Sequence, residues 1–227
     1  MTELDKGVEA TEQMFAAIGH AITRWSFVEE QLCNIFTVCT HDVAARPEGG
    51  LDFGYAAVPT AVFFAVESFR GKVSIVDAAV SARLHISSET ITNLKLDWAR
   101  LREKARKLSL KRNRLAHYTV LPGFDLDNDS ISPRLVPPIG SPGYWRETGL
   151  NPGKQSLTLH QLRHLEQAFC ILEEKLRLFA HTLARNEELF DRYAQRLASR
   201  IRSHSRKDPI RAERLKRALS SLDEPET

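Results

Sequence analysis

Apolar side chains at Phe15, Ile18, Ile22, Trp25, Val28, Leu32, Ile35, Phe36 and Cys39 advance in steps of three and four, with polar residues between them. That period belongs to one face of an α-helix and predicts a long amphipathic helix from about Glu9 to His41. ARPEGG at 45–50 ends it, because proline removes a donor and the paired glycines free the backbone. A second helix is expected from near Pro59, a residue suited to a first helical turn, through FFAVESFRGKVSIVDAAVSARL. Ser87 and Ser88 with Glu89 offer hydroxyl caps and an early acid to a third helix, which runs through ITNLKLDWARLREKARKLSLKRNRLAHY.

Between Thr119 and Ser156 the period is lost, and six of the ten prolines fall there. YTVL and ISPRLV flank the acidic turn DLDND and can pair as a β-hairpin, with Pro133 expected to confine the second run to an edge. Thr158 followed by Gln161 forms a capping box, and Leu162, Leu165, Phe169, Leu172, Leu176 and Phe179 carry a fourth helix to about Leu197. The expected fold is all-α: an antiparallel four-helix bundle with a Pro/Gly-rich loop or small β-hairpin before the fourth long helix. Residues 1–198 make this domain, and residues 199–227 a basic C-terminal tail helix divided off at Pro209.

Composition narrows the class. At 42% hydrophobic and 27% charged, the chain carries enough apolar material for one core. The cysteines Cys33, Cys39 and Cys170 are odd in number and form no Cys-x-x-Cys pair, which argues against a disulfide framework or a thiolate zinc site and for a reducing cytoplasm. The N-terminal segment is acidic where a secretory signal is basic, and the longest apolar window is short and holds a proline, so no membrane passage is expected. The net charge of +3 is unevenly spread: Arg192 to Arg217 holds ten Lys or Arg against Asp208 and Glu213. Such a run is either a solvated helix face or a binding surface for a polyanion.

The stretch KRNRLAHYTV, residues 111–120, is where reaction chemistry is most readily placed. At roughly 100° per residue Asn113 and His117 share a helix face, whereas Arg112 lies about 140° from His117 and must reach. An imidazole can remove a proton from a ribose 2′-hydroxyl or return one to a leaving oxygen. A guanidinium can hold two oxygens of a phosphate as charge builds on it, and an asparagine can orient the imidazole or donate to the same phosphate. The same residues also suit a simpler purpose, since cations at a helix C-terminus complement the macrodipole. In RWSFVEEQL, Trp25, Val28, Glu29 and Leu32 lie along one seam, with Glu30 and Gln31 pointing elsewhere. A carboxylate within an apolar stripe calls for a partner, and the two candidates are Arg112 and Lys72. Either Glu29 aims the arginine or it fixes helix register.

Trp25 with Glu29 on an early helix, and Arg112, Asn113 and His117 within RNRLAH on a later one, resemble the HEPN superfamily of small helical domains. The likeness extends over about residues 9–198. It implies a homodimer whose two arginine–histidine sets meet in a shared cleft, and metal-independent RNA cleavage leaving a 2′,3′-cyclic phosphate, often in toxin–antitoxin or antiphage defence systems. It therefore assigns Arg112, Asn113 and His117 as catalytic, with Glu29 behind them. Some toxin members carry a tyrosine two residues after the histidine that a partner enzyme modifies; here Thr119 stands there and Tyr118 comes one position early. Members without nuclease activity also exist.

Two readings follow: a dimeric ribonuclease, or a noncatalytic helical module that binds nucleic acid or protein, including an antitoxin-like or regulatory dimer. In the ribonuclease reading Lys107, Lys111 and Arg114 beside the motif, and Arg196, Arg200, Arg202, Arg206 and Lys207 in the tail, are expected to contact RNA phosphates without reading sequence. No cofactor and no metal are expected. The helical pair His160 and His164 lacks a nearby carboxylate at ligand spacing and reads as helix surface. A cognate antitoxin or neighbouring-gene product is the further partner the resemblance implies.

Overall fold

The computed structural model describes residues 3–40, 44–45, 51–52, 57–85, 89–121, 124–125, 130–138, 141 and 156–185. These residues are mainly helical, with five α-helices: α1 (Glu3–Thr40), α2 (Ala57–Ala65), α3 (Phe69–Arg83), α4 (Glu89–His117) and α5 (Leu159–Ala184). Short strands fill the connections: β1 (Ala44–Ala45) with β2 (Leu51–Asp52), β3 (Thr119–Leu121) with β6 (Arg134–Val136), and β4 (Phe124–Asp125) with β5 (Ser130–Ile131), each pair antiparallel. The basic tail helix, the extension of the fourth helix toward Leu197 and the caps Ser87 and Ser88 lie outside the described residues.

α1 makes its broadest contact with α5 and a second one with α3. The seam on the first half of α1 is displaced by one position from the one expected. Met14, Ala17 and Ala21 are buried, while Phe15 and Ile22 are 58% and 36% exposed. Both sets have helical spacing, so period alone does not choose between them; the small alanines let a neighbouring backbone approach. From Trp25 onward the expected seam is correct, with Trp25, Val28, Leu32 and Ile35 buried. Gln31 is a further correction: it is buried, and its side-chain oxygen accepts from Asn34 at 3.2 Å.

The single helix expected after Pro59 is two helices. Ser68 has an extended backbone and its hydroxyl accepts the Gly71 N–H, an N-cap that starts α3 afresh. Gly71 is required there, because a Cβ would lie 2.7 Å from Val66 Cγ1 and 2.9 Å from Ser68 Oγ. Thr158 and Gln161 form the reciprocal capping box at the head of α5, at 3.0 and 3.3 Å.

The expected hairpin forms, with Thr119 opposite Val136 and Leu121 opposite Arg134. The second run is not an edge. Pro133 precedes β6, leaving Leu135 free to exchange backbone hydrogen bonds with Leu157 at 2.9 and 2.8 Å on its other side. Leu135 is fully buried, so the hairpin is anchored to the helical core immediately beyond the end of α4.

Candidate active site

α4 buries Trp98, Ala105, Leu108 and Leu115 along one stripe. Arg112 belongs to that stripe, seven residues after Ala105, four after Leu108 and three before Leu115. It is half-buried, and its Nε is shielded from solvent without a hydrogen-bond partner among the described residues, as is the Nε of Arg83. Asn113 and His117 are exposed and share the adjoining face one turn apart. His117 is the last residue of α4; the Tyr118 N–H closes the final turn on the Arg114 carbonyl at 2.9 Å, and β3 starts at Thr119. The imidazole therefore stands where a helix meets an anchored hairpin. The backbone that carries it is thereby held, although the side chain itself is open to solvent.

Glu29 does not meet Arg112. Its Oε1 accepts the Trp25 indole N–H at 2.9 Å and its Oε2 pairs with Lys72 Nζ at 2.5 Å, which corrects the expectation that it aims the arginine. Lys72, with only 10% of its side chain exposed, also lies 5.5 and 5.3 Å from the ring centres of Phe63 and Phe64. Trp25 is wedged between Phe69 and Phe169 at centroid distances of 4.8 and 5.0 Å. The tryptophan–glutamate pair thus ties α1 to α3 and α5.

A second polar network joins α3 to α4 and was not anticipated. Asp77 accepts the Trp98 indole N–H at 2.8 Å and pairs with Arg102 at 2.5 Å. The signal was present: Val73, Val76 and Val80 form an apolar stripe that Asp77 interrupts, the same anomaly that draws attention to Glu29. Above this network a cleft of about 590 Å³ opens between α3 and α4.

Of the cations expected to hold RNA, Lys107 is exposed and within 3.4 Å of Glu103, Lys111 is exposed and Arg114 half-buried. Arg196, Arg200, Arg202, Arg206 and Lys207 lie outside the described residues. His160 and His164 are exposed, with their Nε2 atoms 2.9 Å apart. Among the described residues no group of three or more His, Cys, Asp or Glu is placed to hold a metal ion, and no helix is long and apolar enough to cross a membrane.

Compared with family models, with curated proteins and with solved structures, the chain matches none of them.

Proposed function

We propose that the protein is an endoribonuclease of the HEPN kind, built on an antiparallel four-helix bundle spanning residues 1–198. The observation that carries this reading is the end of α4, where exposed Asn113 and His117 share one face beside the half-buried Arg112. A guanidinium next to an exposed amide and imidazole is a donor set that suits a phosphate. In the proposed reaction His117 takes the proton of a ribose 2′-hydroxyl, and the 2′-oxygen attacks the adjacent phosphorus. The bond to the 5′-oxygen breaks, leaving a 2′,3′-cyclic phosphate and a 5′-hydroxyl that receives a proton from a second imidazole, that of the other subunit. Arg112 and Asn113 stabilise the charge that develops on the phosphate. Exposed Val8, Phe15 and Ile22, spaced by seven residues on α1, support association of two copies.

The test is incubation of the purified protein with single-stranded and structured RNA in EDTA, beside His117→Ala and Arg112→Ala variants, with analysis of fragment ends. Cleavage should fall about 10²- to 10⁴-fold on loss of the imidazole. Fragments without a cyclic phosphate, or equal cleavage by the variants, would leave the noncatalytic reading of the same fold. Toxicity on expression that either substitution relieves would support a role in toxin–antitoxin or antiphage defence.

A further inference from the structure

The cleft between α3 and α4 is not lined by Arg112, Asn113 or His117, but it shares α4 with them. On α4 its wall includes Arg102, Arg106, Ser109 and Leu110, and the same steps of three and four continue to Asn113 and His117. One helix face therefore carries both the cleft and the imidazole. Arg106 and His117 are separated along the axis by roughly 16 Å, at 1.5 Å per residue.

Cations lining the cleft outnumber acids four to two. Arg102 is engaged with Asp77, and Lys107 is near Glu103. Arg70 on α3 and Arg106 on α4 are both exposed, and neither has a carboxylate partner among the described residues. Two unpaired guanidiniums on opposite walls of one cleft form an anion-binding pair without any rearrangement of existing ion pairs. Apolar surface accompanies them: Phe69, whose ring is held by Trp25 at 4.8 Å, also lines the cleft, and Leu110 on its rim is 68% exposed.

We infer that this cleft binds a single-stranded segment of RNA, with Arg70 and Arg106 on its phosphates and Phe69 and Leu110 beneath its bases, and delivers the neighbouring linkage to His117. Cations alternating with apolar and aromatic surface are the recognition chemistry of unpaired strands, whose base faces are open. A duplex hides those faces and presents mainly phosphates and hydroxyls. The identity of the ligand rests on the ribonuclease reading; the location of its binding surface does not.

Binding of a fluorescent 2′-O-methyl single-stranded RNA, which cannot be cleaved through its 2′-oxygen, separates the two questions. Anisotropy titrations across a salt series should show that Arg70→Gln with Arg106→Gln weakens binding at least tenfold. Each lost phosphate contact should lower the log–log salt slope by about 0.7. Lys104→Gln, on another part of α4, should change neither quantity. No binding by the unaltered protein, or binding that ignores the double substitution, overturns the inference, as does a duplex of equal length binding as tightly. A poly-glutamate peptide that competes as well as the RNA reassigns the cleft to an acidic protein partner and also overturns it. Arginine-dependent binding without cleavage of ordinary RNA keeps the cleft and removes the nuclease. Cleavage with arginine-independent binding does the reverse.

Discussion

Lys72 Nζ lies 2.5 Å from Glu29 Oε2, and the other Glu29 oxygen accepts the Trp25 indole N–H at 2.9 Å. The pair is mostly shielded, with 10% and 18% of the two side chains exposed, so removal of one charge strands the other in a poorly solvated place. Glu29→Gln is expected to lower stability by about 3 kcal/mol, the low end for a broken buried pair. The double variant Glu29→Gln with Lys72→Met should be less destabilised than the sum of the single changes. Urea unfolding of the three variants measures this, and additive losses would show that the charges do not act as a pair. Because Glu29 does not touch Arg112, the proposed RNA cleavage should remain close to normal in Glu29→Gln well below its melting temperature.

Asp77 serves two donors of different kinds. In Asp77→Asn the amide oxygen can still accept from Trp98, and only the Arg102 charge pair is lost; with 37% and 32% of the side chains exposed, that loss should be about 1 kcal/mol or less. Asp77→Ala also leaves the indole N–H of a buried tryptophan unsatisfied, adding about 1–3 kcal/mol. Thermal unfolding should therefore rank the unaltered protein above Asp77→Asn and Asp77→Ala last. Equal effects of the two changes would mean that the indole bond contributes nothing.

Gly71→Ala places a methyl group 2.7 Å from Val66 Cγ1 and 2.9 Å from the hydroxyl that caps α3. Overpacking of this kind costs about 1–3 kcal/mol. Val66→Ala in the same chain removes the nearest obstacle and should recover part of the loss. If the pair is no more stable than Gly71→Ala alone, the displaced cap is what matters.

The three thiols are free but unequal. Burial pushes Cys39 up to about 12 from an ordinary value of 9.0, and burial also raises Cys33. Cys170 is exposed. In native protein near pH 8 an alkylating reagent should modify exposed Cys170 quickly, half-buried Cys39 slowly because its thiol is raised, and buried Cys33 only on unfolding, as peptide mass spectrometry would show. The raised thiols hold protons in the folded state that the unfolded chain releases. Stability should accordingly fall as pH rises from about 9 toward 12, by about 1.4 kcal/mol per unit for Cys39, with a further loss from Cys33 in the same direction. A flat stability profile over that range would contradict a raised Cys39 thiol.

The sequence by itself determined what depends on neighbours along the chain. The 3.6-residue period marked the helices, Thr158 and Gln161 marked the head of α5, and the short runs YTVL and ISPRLV contained strands that pair in the structure. It also placed Asn113 and His117 on one face, since four residues of helix fix that geometry wherever the helix lies. Tertiary structure decided what depends on contacts between elements: that α1 packs through Met14, Ala17 and Ala21 rather than Phe15 and Ile22, and that Glu29 meets Lys72 rather than Arg112. It also decided that Arg70 and Arg106, thirty-six positions apart in the chain, line one cleft. Periodicity reports the angle of a side chain about its own axis and carries no information on which neighbouring helix stands opposite.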